Sequence, residues 1–307
     1  MIICCGEALM DLIQVRSEAG DPCYAPLAGG AVFNTAISLG RLGVDVAMVS
    51  GISTDRFGRQ LASALDASGV NNRYLIRSGR PTTLAFVHLR DGQASYTFYD
   101  ENTAGRRIEV RDLPALDQAV TTLFFGGISL ISEPVADTCL ALAERTAGNR
   151  VIMLDPNIRA DFIVDEARYR ARLGRMLAVA DMVKVSDDDL DWLVPGDNEL
   201  EQVKKLRGDT DALVIVTKGS AGVTAYLKDG ESLHQGAVRV EVVDTVGAGD
   251  TFNGGLLARL DQLSLLSKQE IHKAHASQIQ QALAYGARVA ALTISRQGAN
   301  PPWVDEL

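Results

Sequence analysis

The chain has 307 residues, with 30 Lys+Arg against 39 Asp+Glu and a formal net charge of −9. Hydrophobic residues make up 47 %, too many for a disordered chain, and the acidic balance argues against a nucleic-acid partner. Four cysteines in so long a chain exclude a disulfide scaffold, and the length suits one large domain with or without a small appendage.

In chain order, Ile2-Ile3-Cys4-Cys5 reads as a short buried strand with its two thiols on opposite faces. The N-terminal apolar stretch is broken by Glu7 and Asp11 and has no basic lead-in, unlike a secretory signal. No window approaches the ~18 apolar residues of a membrane span. A cytoplasmic protein without a membrane partner is therefore expected. Val32, Phe33, Ala36, Ile37, Leu39 and Leu42 form one face of a helix over Ala31 to Leu42. A strand-like run from Val46 to Ser50 and a helical pattern from Asp55 to Leu65 follow.

From Tyr74 to Tyr99 the helical period is lost. Leu84, Phe86 and His88 alternate with Ala85, Val87 and Leu89, Asp91-Gly92 follows, and a second run extends from Ala94 to Tyr99. Asp-Gly between alternating runs predicts a hairpin. The segment reads as an antiparallel insertion able to act as a lid. Beyond it, apolar runs recur at Leu123-Phe124-Phe125, Val151 to Leu154, Met182 to Val185 and Leu213 to Val216. Helical patterns at Val135 to Glu144 and Arg168 to Val179 lie between them. Strands alternating with helices imply a parallel sheet covered on both faces. A second hairpin is predicted at Lys228-Asp229-Gly230-Glu231, and a strand at Val238 to Val243.

That last run leads into Asp244-Thr245-Val246-Gly247-Ala248-Gly249-Asp250-Thr251-Phe252-Asn253-Gly254-Gly255, then a helical pattern through Leu256, Leu257 and Leu260. Gly-Ala-Gly at a helix start leaves N–H groups free and uncrowded, and the helix dipole adds about half a positive charge there. Asp250 falls in the first turn beside the bound anion, which repels it, so its presence points to proton chemistry. A P-loop is absent, and a dinucleotide fingerprint fails because Phe252 stands where its third glycine belongs. Three further segments follow the same logic: Ala28-Gly29-Gly30-Ala31-Val32-Phe33-Asn34 at a helix start, Asp155-Pro156-Asn157-Ile158-Arg159 after a strand, and Thr217-Lys218-Gly219-Ser220-Ala221-Gly222 after another. Ligands of open α/β sheets sit at strand carboxyl ends, so these segments are expected to open on one edge.

Together these segments resemble the ribokinase-like family of sugar kinases, over nearly the whole chain from Gly6 to Pro301. DPNIR, KVSDDDLDWL and FYDENTAGRR look most similar to its bacterial fructokinase branch. The resemblance implies an α/β three-layer sandwich, a mostly parallel sheet with a small β-sheet lid, as one domain over 1–307 with the lid drawn from about 11–28 and 74–108. It implies ATP with Mg²⁺, a small-molecule sugar, and a homodimer through the lid. The acceptor it implies is D-fructose, with 2-keto-3-deoxygluconate as alternative and ribose or a nucleoside behind. Asp100-Glu101 after Phe98-Tyr99 favours a neutral sugar over an acid one. A non-catalytic sensor would lack Asp250 or the glycine turn, and both are present.

By the same resemblance Asp250 is the general base, and Gly247, Ala248 and Gly249 form the anion hole. Asp11, Gly30, Asn34, Tyr99, Arg106 and Arg159 contact the sugar. Asn157, Lys184, Thr217, Lys218, Gly219, Ser220, Gly222 and Val246 contact the nucleotide. Apart from the resemblance, Gly286 on the C-terminal helix reads either as giving room for an adenine or as simple helix packing. Ser186-Asp187-Asp188-Asp189 occupies the family's Asn-x-x-Glu position, so Asp189 holds Mg²⁺ through water. Asp244 and Val246 match a loop that often holds a monovalent cation such as K⁺.

Overall fold

The computed structural model describes residues 1–90 and 93–307, with side chains described outside 88–96. The chain opens with β1 (Ile2–Cys5), wholly buried, which is why it carries no polar side chain. β2 (Leu9–Arg16) and β3 (Pro22–Gly29) pair antiparallel, Leu9 opposite Gly29. α1 (Ala31–Arg41) starts at Gly30, whose φ of 111° favours glycine. β4 (Val46–Val49), β5 (Gly51–Ser53) and α2 (Arg56–Ala67) follow, α2 capped by Asp55 accepting from the Gly58 N–H. Then come β6 (Ile76–Ser78), β7 (Leu84–Arg90), β8 (Gln93–Tyr99), β9 (Thr122–Gly126), α3 (Val135–Thr146) and β10 (Val151–Asp155). The second half holds α4 (Glu166–Leu177), β11 (Met182–Ser186), α5 (Asp187–Leu193), α6 (Glu199–Arg207) and β12 (Leu213–Thr217). β13 (Val223–Tyr226), β14 (Ser232–Gln235), α7 (Ala248–Gln262), α8 (Lys268–Ile271) and α9 (Ala276–Ile294) complete it.

Eight strands form one sheet in the order β14-β13-β12-β11-β10-β9-β1-β4. Pairs from β12 to β4 are parallel, while β13 and β14 are antiparallel. Two cores cover its faces. Cys4 packs with α1, α7 and α9, and Cys5 with α3 and α4, so adjacent residues of β1 supply opposite layers. After β4 the chain returns to the other side of β1 to form β9. This order reversal leaves a crevice at the strand carboxyl ends.

A second sheet, ordered β3-β2-β7-β8, stands over that crevice. β7 and β8 pair antiparallel to Arg90 opposite Gln93; the Asp91-Gly92 turn itself lies outside the described residues. The predicted hairpin at 228–231 is present, with the Leu227 N–H donating to the Glu231 carbonyl and Gly230 at φ 90°. Val238 to Val243 is not a strand. It finds no sheet edge, and its valines 238, 242 and 243 are exposed. The run is held at its end by the Val243 and Asp244 N–H groups donating to the Ile294 carbonyl. Alternation alone does not make a strand where no ladder partner is in reach. Among the described residues no helix is long and apolar enough to cross a membrane.

Candidate active site

A cleft of about 530 Å³ lies between the two sheets, at the carboxyl ends of β1, β9, β10, β11 and β12. Its floor is the start of α7. Gly247 holds φ 77°, and a Cβ there would stand 2.5 Å from that of Ala299, so both conformation and space require glycine. The N–H groups of the first turn lack intrahelical acceptors, the arrangement that suits an anion, although the Ala248 N–H already donates to the Thr245 carbonyl at 3.3 Å. Asp250 lies in that turn, almost fully buried. Asn34 of α1 donates to Asp250 Oδ2 at 2.9 Å, and the Thr35 hydroxyl donates to the Asp250 carbonyl at 3.0 Å. Small residues allow this approach: a Cβ on Gly254 would meet Ser38 Oγ at 2.4 Å. Burial pushes the Asp250 carboxyl up to about 6, against the Asn34 hydrogen bond, which lowers it.

Asp11 enters from β2. Burial, and then the charge of Asp250, push it up to about 6. Gly29 makes room for it, since a Cβ there would lie 2.2 Å from Asp11 Oδ2. Glu7, just after β1, was legible only as an interruption of an apolar run. It organises the start of α1: its carboxylate accepts from the Ala31 N–H at 3.0 Å and from the Ser129 N–H at 3.2 Å, and the Ser129 hydroxyl also bonds to it. Burial raises its carboxyl.

Behind the glycine turn lies an ion pair that motif reading missed as a unit. Lys184 Nζ donates to Asp155 Oδ2 at 3.0 Å, with side chains 6 % and 2 % exposed. Asn253 of α7 donates to the same oxygen at 2.7 Å. Burial pulls the Lys184 ammonium down, but Asp155, with Asp189 and Asp250, more than offsets this and raises it. Lys184 is therefore charged. A Cβ on Gly249 would stand 3.2 Å from its Nζ, which places the ammonium against the anion-facing turn.

On the opposite wall, Asn157 adopts φ 44° and Arg159 donates to its Oδ1 at 2.6 Å. Both line the cleft with Asp188, Asp189 and Thr217. Ser186 caps α5 and Asp189 completes the capping box: its Oδ1 accepts from the Ile158 N–H at 3.0 Å and its Oδ2 from the Ser186 N–H at 3.3 Å. Burial, then Asp155, raise its carboxyl. No cluster of three or more metal-ligating side chains occurs among the described residues. The donor set instead suits Mg²⁺ bound through water and phosphate. Glu7, Asp11, Asp188, Asp189 and Asp250 line the cleft against Lys184 and Arg159, an excess of negative charge that a polyphosphate meets favourably only with an added cation. Asp244 Oδ1 accepts from the Val246 N–H and its Oδ2 from the Gly298 N–H, which folds that loop against the C-terminal segment.

Several expected site residues lie elsewhere. Tyr99 is 60 % exposed and packs edge-on against Phe86; strand alternation sends Phe98 into the cleft instead. Arg106 pairs with Asp100 at 2.9 Å and donates to the Glu133 carbonyl, outside the cleft. Asp100 is thereby ion-paired, while Glu101, the other lid carboxylate, stays exposed. Lys218 turns away to Glu199 at 2.6 Å. Within 217–222, Thr217 lines the cleft, whereas Gly219 and Ser220 form a 3-10 turn beyond it. Gly222 lets the chain pass β14, as a Cβ there would sit 2.2 Å from the Gln235 carbonyl oxygen. Gly286 packs on Phe252 and Gly255 where α7 crosses α9, so its missing side chain serves helix packing.

The model of the pfkB family carbohydrate kinases matches residues 1–306. A fructokinase of Rhizobium leguminosarum bv. trifolii is 48 % identical over 88 % of this chain and 83 % of its own length. The crystal structure of a fructokinase with bound ATP from Xylella fastidiosa superposes with a TM-score of 0.87 at 28 % identity, covering 97 % of this chain and 93 % of that one. A double-mutant fructokinase of Vibrio cholerae O395, solved with fructose, ADP and potassium ion, gives 0.84 at 25 % identity, with 97 % and 93 % covered.

Proposed function

The chain belongs to the pfkB family of carbohydrate kinases, and we propose that it transfers the γ-phosphoryl group of ATP to a primary hydroxyl of D-fructose. The observation that carries this reading is the buried Asp250 carboxylate, set in the first turn of a glycine-led helix and facing the same cleft as Asp11 and Asn34. In it, Asp11, Gly30 and Asn34 hold the sugar so that the reacting hydroxyl lies against Asp250. Asp250 takes the hydroxyl proton as the oxygen attacks phosphorus. The first-turn N–H groups and Lys184 stabilise the charge spread over the transferring group, the main demand of this chemistry. Asn157, Arg159 and Thr217 border the nucleotide phosphates. Asp189, with Asp188, would hold Mg²⁺ through water. That ion, when bound, neutralises phosphate charge. The Asp244–Val246 loop is the candidate monovalent-cation position, its backbone carbonyls being the donors. A cytoplasmic setting fits the need for ATP.

The acceptor is tested by ADP release with MgATP and D-fructose, 2-keto-3-deoxygluconate or ribose. The highest kcat/KM is expected with fructose. A higher value with the sugar acid overturns the fructose assignment, and binding without turnover of any sugar favours a sensor. The neutral sugar is supported by the 48 % identical relative and by the engagement of Arg106 outside the cleft.

The lid is proposed as the dimer contact. Tyr24, Phe86 and Tyr99 form an edge-to-face row on it, Tyr24 and Tyr99 being 44 % and 60 % exposed. Tyr24→Asp with Tyr99→Asp is expected to halve the mass seen by light scattering. An unchanged mass places the interface elsewhere.

A further inference from the structure

A second cavity, of about 420 Å³, adjoins the sugar cleft between the lid and the segment after β10. Phe98 and Ile128 line both. Phe98 meets Phe162 edge to face, with ring centroids 4.7 Å apart and planes at 88°. Phe162 ends the 3-10 turn Ala160–Phe162, immediately beyond Asn157 and Arg159. The loop that brings those two polar groups to the cleft thus carries an aromatic ring to its side.

We propose that the Phe98–Phe162 pair is the partition between the two cavities, and that Phe162 is the residue that limits the acceptor to a single sugar ring. The inference rests on the sugar-kinase reading. The second cavity falls within the ~300–1,000 Å³ range of ligand pockets, so it is large enough to matter once open. Its lining suits a neutral polyol. Asp100, Arg106, Ser132 and Asp161 face it, offering both acceptors and donors to hydroxyl groups. They are also held in place: Arg106 pairs with Asp100 at 2.9 Å, and Ser132 Oγ donates to Asp100 Oδ2 at 3.0 Å. Its arginines are engaged by carboxylates, Arg168 by Glu133 and Asp137 and Arg172 by the same two, so among the described residues an anion finds no uncompensated cation there. What separates this polar space from the sugar is apolar: Phe98, held from the far side by Phe162, with Ile128 beside it, a wall that two hydroxyl-bearing rings joined together cannot cross. An edge-to-face pair is a stiff wall, because each ring fixes the other's angle.

The test compares Phe162→Ala and Phe162→Leu with the unaltered protein on D-fructose and on sucrose, in which a second ring is attached to a fructofuranose whose primary hydroxyls are free. The unaltered protein is expected to ignore sucrose. Phe162→Ala should raise kcat/KM for sucrose about tenfold or more while still turning over fructose, with Phe162→Leu between them. An alanine variant active on fructose with no gain on sucrose overturns the proposal. So does an unaltered protein that uses sucrose as well as the variant. Should the alanine variant not fold, the leucine variant carries the same comparison. Absence of fructose turnover in the unaltered protein refutes the function and not the partition. Titration calorimetry with sucrose then reads the partition directly, stronger binding to the Phe162 variants supporting it and equal binding refuting it.

Discussion

Asp250→Asn lowers kcat by about 10²–10⁴-fold, the contribution of a positioned base, while the protein keeps its fold and its affinity for MgATP. The fold is kept because an asparagine carboxamide can still accept from Asn34, the bond that joins α1 to α7. Stability should even rise. Burial holds the Asp250 carboxyl up at about 6, above its ordinary value, so near neutral pH the native state bears the cost of a buried charge. The neutral amide removes that cost. A Tm equal to or above that of the unaltered enzyme, with the rate lost, therefore separates chemistry from misfolding. The pH profile gives an independent reading. The base works as the carboxylate, so activity is full above about 6 and falls as pH drops through it. Asp11 is also held at about 6, so the acid limb should steepen where both protonate. Asn34→Ala removes the contact that lowers Asp250 and should move the limb to higher pH. A near-normal kcat in Asp250→Asn, or a limb that ignores Asn34, removes the base assignment.

How far the site could be read from sequence depended on whether a role lies in the backbone or in a side chain's direction. The Gly247-Ala248-Gly249-Asp250 turn was legible because its chemistry is local: positive φ, free N–H groups and a first-turn carboxylate are all encoded within four residues. The parallel sheet was legible for a similar reason, each buried strand being a short apolar run. Tyr99, Arg106 and Lys218 sit in the right segments but point away, since a motif fixes a segment and not which neighbour a long side chain meets. Gly286 stayed ambiguous in sequence because a small residue makes room for a helix as readily as for a base, and only the fold shows the helix packing. Val238 to Val243 misled because alternation records a possible strand and not the edge it needs. Glu7 and the Asp155–Asn253 contact stayed hidden because their partners lie more than twenty residues away, at Ala31, Ser129 and across the sheet from α7.

Lys184→Met is expected to act twice, on stability and on rate, and the two effects can be separated. Removing one member of a buried pair leaves an uncompensated charge, at a cost of about 3–5 kcal/mol. Asp155 is that charge here, with Asn253 its remaining partner. Such a loss is a large share of the roughly 5–15 kcal/mol that holds a protein folded, so Tm should fall by several degrees. Asp155→Asn added to Lys184→Met removes the stranded charge and should restore most of that stability, because the asparagine oxygen still accepts from Asn253. If the lysine only supported the fold, the rate would return as well. It stands, however, against the glycine turn, 3.2 Å from where a Gly249 Cβ would lie, and stays charged there. Charge placed beforehand at a developing anion commonly carries about 10²–10³ in rate, so the double variant should remain slow by about that factor at saturating fructose and MgATP. Full recovery of both Tm and kcat in the double variant would assign Lys184 to the core and leave the first-turn N–H groups to stabilise the transferring phosphoryl group.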